Sequence, residues 1–155
     1  MFKHILVPVD GSEPSQLALA EAIKLAKSSG ATLNLMHVVD EFVIGPATDA
    51  SYMSTAYYAD VIAALRESGR QILDRAEAAV KQAGVELKST FVETFGRRVA
   101  ELVVERATQW PADLIVMGTH GRRGIRRLVM GSDAEWVLRS TPVPVLMVRG
   151  PESAS

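Results

Sequence analysis

The segment Lys3-His4-Ile5-Leu6-Val7-Pro8-Val9-Asp10-Gly11-Ser12 starts in an unbroken aliphatic run and stops on three small turn formers. A run that does not alternate polar with apolar suits a strand whose sheet is covered on both faces, and Asp-Gly-Ser suits the turn that leaves it. Immediately downstream, Pro14 to Ser28 changes to the helical period, with Leu17, Ala18, Ile23 and Ala26 on the apolar side and Gly30 as the stop. A buried strand passed by a short turn to an amphipathic helix is half of a βαβ unit.

The same unit recurs along the chain. Thr32 to Val39, Asp113 to Gly118 and Val143 to Val148 are further near-continuous apolar runs, read as strands covered on both faces. Val85 to Glu93 alternates more and reads as an outer strand with one wet face. Helical spacing fills the intervals at Ala59 to Ala83, Arg97 to Gln109 and Ser132 to Ser140. Gly69 is expected to loosen a turn of the longest helix, and Ser132 with Glu135 has the spacing of a capping box. Strand and helix alternate throughout, so the fold class is α/β: a five-stranded parallel open sheet with helices on both faces, Rossmann-like. Asp40 to Tyr58 interrupts the rhythm and is long enough to be a flap or a covering segment.

Composition bounds the chemistry. With 155 residues, 48% of them hydrophobic, residues 1–150 are expected to form one domain and 151–155 a tail. The absence of cysteine excludes thiol catalysis, disulfides and cysteine-ligated metal. No apolar run reaches the ~18 residues that would span a bilayer. The start of the chain has no signal-like pattern, so a cytoplasmic protein without membrane association is expected. A formal net charge of −1 speaks against a surface built for nucleic acid. Arg122, Arg123, Arg126 and Arg127 concentrate positive charge locally, but no aromatic residue interleaves with them to stack bases.

In an open parallel sheet, ligands sit beyond the carboxyl ends of the strands, where the strand order reverses. Two loops qualify here. One is Pro8-Val9-Asp10-Gly11-Ser12; the other runs from Gly118 through Gly121 and the arginines to Gly131-Ser132, where a helix begins. Glycines at 118 and 121 allow close backbone approach, and Gly131 and Ser132 are expected to offer free amides to an anion. His120 has no carboxylate partner in the motif, and His37 lies in an apolar strand as a core residue. His4, His37 and His120 have no metal-ligand spacing.

Gly118, two residues, Gly121, nine residues and then Gly131-Ser132 resembles the nucleotide-binding signature of the ATP-binding branch of the universal stress proteins. The resemblance extends to His4 to Ser12, to His37-Val38-Val39-Asp40, to Asp113 to Gly118 and to Thr141 to Val148. It implies the adenine nucleotide alpha hydrolase-like variant of the sheet and ATP as ligand, with Mg2+ as its possible companion. It also implies a homodimer joined through the last strand. Residue by residue, Asp10 (with Pro8 and Val9) would hold ribose and Val38 would meet adenine. Met117, Gly118 and Gly121 would line the ribose and α-phosphate, and Gly131, Ser132, Asp133 and Ala134 the distal phosphates. Ala134 departs from the pattern, which often has a second hydroxyl residue there. The implied role is a nucleotide-dependent stress-response or regulatory module with at most slow hydrolysis or autophosphorylation. A slow Mg-dependent ATPase or phosphotransferase and a nucleotide-free structural dimer remain the alternatives.

Overall fold

A computed structural model describes residues 1–44, 54–120 and 130–150 of the chain. Its elements are β1 (His4–Pro8), α1 (Glu13–Ser29), β2 (Thr32–Asp40), a 3-10 turn (Glu41–Ile44), α2 (Thr55–Gln82), β3 (Leu87–Thr94), α3 (Val99–Gln109), β4 (Leu114–Gly118), α4 (Ser132–Ser140) and β5 (Val145–Val148). The strands form one sheet in the order β3-β2-β1-β4-β5, and every neighbouring pair is parallel. The five-stranded parallel sheet read from the alternation is therefore present, with β3 at one edge as its mixed pattern suggested.

The unbroken aliphatic runs are explained by two cores. Along β1, Ile5 and Val7 face α1 and α2, together with Leu33 and Leu35 of β2 and Leu114 and Val116 of β4. Leu6, Met36, Ile115 and Met117 point the opposite way, toward Leu102 and Val103 of α3 and Val137 of α4. β1, β2 and β4 thus feed both layers, which is why their runs are mostly apolar on both faces, whereas β3 at the edge keeps exposed polar residues. β5 departs from this reading: Leu146 is 38% exposed, because an edge strand has a neighbour on one side only.

Local signals place most helix ends. Ser12 accepts a bond from the Ser15 amide at the start of α1, and Gly30 ends it in the left-handed region at φ 70°. α2 starts a turn earlier than its apolar period suggests, since the Ser54 hydroxyl accepts from the Tyr57 amide at 3.1 Å. Tyr57 and Tyr58 accordingly belong to the helix rather than to the connection before it. Gly69 does not mark a loosened turn. It is buried where α2 crosses β2, and a Cβ there would lie 2.8 Å from Val39 Cγ2 and 2.9 Å from the His37 ring. The glycine lets helix and sheet approach closely.

Candidate functional site

The order of the strands creates one place where two loops must part. From β1 the chain moves outward to β2 and β3, then crosses back to β4 on the opposite side of β1. The turns leaving β1 and β4 diverge above this switch point and border a cleft of about 990 Å³. Pro8, Val9, Asp10, Val38, Met117, Gly118, Gly131, Ser132, Asp133 and Ala134 all line it. The sequence reading is thus brought together spatially, apart from Gly121 and the four loop arginines, which lie outside the described residues.

The first wall is the turn after β1. Gly11 takes φ 80°, a conformation that side chains disfavour, and the turn closes when the Ser12 amide donates to Asp10 Oδ1 at 2.9 Å. Asp10 in turn donates its amide to Ser15 Oγ at 3.1 Å. Val9 is held from both ends, its amide donating to the Met36 carbonyl at 2.8 Å and its carbonyl lying 2.7 Å from His37 Nδ1. A carbonyl can only accept, so His37 carries its proton on Nδ1 here. His37 is 5% exposed, which agrees with its reading as a core residue, yet it also borders the cleft.

The second strand supplies an open backbone edge. In a parallel ladder, alternate residues turn both backbone groups to the same neighbour. The Thr32 amide and the Met36 carbonyl bond toward β1, while the Leu33 amide bonds toward β3. Val38 therefore faces the β1 side, but the paired register of β1 ends at Pro8 opposite Met36. The amide and carbonyl of Val38 thus project past the end of β1 into the cleft. Asp40, one alternation further on, accepts the amides of Phe42 and Gly96, each at 2.9 Å, and so ties β2 to the turn before α3.

The opposite wall corrects one expectation and adds a packing role to another residue. At Gly118 a Cβ would lie 2.8 Å from Pro14 Cβ and 2.9 Å from the Pro14 carbonyl carbon, so the first turn of α1 occupies that space and packing alone calls for glycine there. The Gly131 amide is not free, because it donates to the Thr119 carbonyl at 2.8 Å. Thr119 is fixed to the sheet through its own amide, which donates to Val148 O at 3.0 Å. This pins Gly131 in an extended conformation at φ −58°, ψ 150° as the N-cap of α4, and Ser132 becomes the first helical residue. The capping box is consequently not formed, and Glu135 pairs with Arg139 at 2.7 Å instead. With no side-chain cap, the amides of Ser132, Asp133 and Ala134 have no partner within the helix. They give the cleft the positive end of a helix dipole. The Ala134 side chain is 3% exposed and packs into the core under α3 and α4, so only its backbone can serve the cleft.

Several liners escaped the sequence reading: Asp40, Gly96, Arg97, Arg98, Thr119 and Met130. The rule that ligands gather at the carboxyl ends of strands would have named Asp40, at the end of β2, and Gly96 to Arg98, just past β3. Arg97 pairs with Glu105 at 2.7 Å, and Arg98 starts α3 without a side-chain cap. His120 Nδ1 lies 3.0 Å from Thr119 Oγ1. Among the described residues, no cluster of three or more His, Asp or Glu could hold a metal ion.

The sequence pattern of the universal stress protein family matches residues 1–149. The chain belongs to the universal stress protein family. A universal stress protein of Methanocaldococcus jannaschii is 34% identical over 154 residues, covering 98% of this chain and 85% of that protein. A family member from Burkholderia pseudomallei superposes with a TM-score of 0.72 at 36% identity, over 94% of this chain and 95% of that one. A universal stress protein in complex with cAMP superposes with a TM-score of 0.65 at 25% identity, over 96% and 97% of the two chains. This universal stress protein thus shares its family's parallel sheet. No helix among its described residues is long and apolar enough to cross a membrane.

Proposed function

We propose that this universal stress protein binds an adenine nucleotide, ATP, in the cleft at the switch point and acts as a nucleotide-dependent module of the stress response in the cytoplasm, built as one domain over residues 1–150. The observation that carries the reading is the placement of the uncapped N-terminus of α4 across the same cleft from the open backbone edge of Val38. Those are the two ends of a nucleotide: a donor-acceptor edge for the base and bare amides for phosphate. The Asp10 turn lies in the wall beside them, where a carboxylate suits ribose hydroxyls. A cleft of about 990 Å³ stands at the upper end of the ~300–1,000 Å³ typical of small-molecule sites. The complex of a relative with cAMP supports an adenine ligand in this fold.

Mg2+ would accompany the triphosphate, held by phosphate oxygens, water and the carboxylate of Asp133, the pattern this ion favours where few protein ligands converge. Pairing of two copies along β5 completes the proposal: the strand is a sheet edge with Leu146 exposed and only four residues long.

Thermal unfolding with ATP, ADP, AMP and cAMP, each with and without Mg2+, tests the reading together with mass spectrometry of whatever co-purifies. A ligand at 100 times its dissociation constant adds about 2.7 kcal/mol, a rise of about 5–11 °C for a domain of this size. No shift with any of the four nucleotides would sink the proposal.

A further inference from the structure

A second cavity lies on the other side of the β1 turn. α1 packs mainly on β4 and β1 while α2 packs on β2 and β3, and a furrow of about 380 Å³ runs between the two helices. Its walls are Leu19 and Ile23 of α1 and Ile72 of α2. Ala20, Ala76 and Ala79 keep it open, because methyl groups cannot bridge the gap that longer side chains would fill. The furrow is thus an apolar slot about two helical turns long, closed at one end by the turn that holds Val9.

One charge stands in this lining. Arg75 is the only ionisable group among the described residues that border the furrow, and it forms no ion pair with another described residue. An apolar slot with a single guanidinium at its wall selects an occupant with an aliphatic body and an anionic head. A planar fork of donors matches a carboxylate in particular. A cation is disfavoured by like charge, and a polyanion by the absence of further positive groups.

We propose that the furrow between α1 and α2 binds an amphipathic carboxylate, a straight-chain acid whose tail lies between the helices and whose head meets Arg75. This site is separate from the cleft, though Val9 and Ser15 border both. The proposal does not depend on nucleotide binding.

Calorimetric titration of the full chain with hexanoate, octanoate and decanoate tests it, with decanol and decyltrimethylammonium as the uncharged and cationic controls. Binding should saturate at one molecule per chain, and affinity should rise by about fourfold per added methylene until the furrow is filled. Arg75→Gln should weaken the carboxylates by about fivefold, as expected for one solvent-exposed charge pair, while decanol binding stays unchanged. Ala79→Phe should abolish binding by filling the slot. Because that variant could disturb the helix, methyl resonances of the unaltered chain give a second readout: Leu19, Ile23 and Ile72 should shift with decanoate, and Val103 and Val137 across the sheet should not. Binding that fails to saturate, trimethylammonium binding as tight as that of the acid, or shifts confined to the far face would each overturn the proposal.

Discussion

Replacing Gly118 by alanine separates two reasons for a glycine at the end of β4. If the residue serves packing, the cost follows from the geometry. The added Cβ would lie 2.8 Å from Pro14 Cβ, 2.9 Å from its carbonyl carbon and 3.1 Å from its oxygen. Carbon atoms pack at ~3.5–4.0 Å, so the shortfall is about 0.7–1.2 Å. Two of the three obstructing atoms are backbone, and Pro14 sits in the first turn of α1, which Ser12 and Asp10 anchor. No rotamer change can relieve the overlap; α1 must move off β4. Overpacking of this kind costs about 1–3 kcal/mol, and 2 kcal/mol corresponds to a fall of about 4–8 °C in a chain of this size. Gly150→Ala is the control, since its Cβ would meet Pro14 Cγ at an ordinary 3.7 Å and stability should stay within about 0.5 kcal/mol. Urea and thermal unfolding of both variants, without nucleotide, give the comparison. A Gly118→Ala protein as stable as the control would refute the packing account and return the glycine to the ligand.

Gly69→Ala sets two known terms against each other: alanine gains about 1 kcal/mol of helix propensity, but its Cβ would press on His37 and Val39, so a net loss of about 1 kcal/mol is expected in urea unfolding. A more stable variant would mean that α2 does not sit as close to β2 as described. Glu77 supplies a pH test: a hydrogen bond from Ser89, then the neighbouring Lys81, hold its carboxyl below the ordinary value against the opposing effect of burial. Because the folded-state value is the lower one, its stabilisation is fully present above the unfolded value of ~4.3 and disappears as the pH falls through the folded value. Glu77→Gln should therefore be less stable by roughly 0.5–1 kcal/mol at pH 7, and the gap to the unaltered chain should close in acid; a gap that widens below pH ~4 contradicts this.

The sheet was legible because buried strands and amphipathic helices have different periods, and those periods are properties of single residues in order. The two walls of the cleft were legible for a related reason: both are turns at strand ends, marked by Asp10-Gly11-Ser12 and by Gly118 and Gly131. What those glycines do was not legible. The approach of Pro14 to Gly118, and of His37 to Gly69, joins residues far apart in the chain, and nothing local announces it. The capping box failed for the same reason. Ser132 and Glu135 have the spacing, but the bond from Gly131 to Thr119 fixes where the helix begins. Asp40 was visible as a strand end, yet its task of holding Gly96, 56 residues away, was not.

The helix starts themselves separate by location. α1 and α2 begin under serine hydroxyls, at Ser12 and Ser54, each accepting an amide of the first turn. α3 and α4 begin at Arg98 and Gly131 with no such bond, and these are residues that border the cleft. A side-chain cap is worth about 1 kcal/mol over alanine and only a few tenths over glycine, so the start of α3 at Arg98 gives up more stability than the start of α4 at Gly131. Serine stands next to one of these starts, at Ser132, and is still not used as the cap. The first turns of α3 and α4 receive no side-chain bond from their N-cap residues, and an anion at such a start gains both hydrogen bonds and the helix dipole. The two capped helices show that this chain can cap a helix where it has nothing to bind, which makes the uncapped pair at the cleft the strongest physical support for an anionic ligand between β1 and β4.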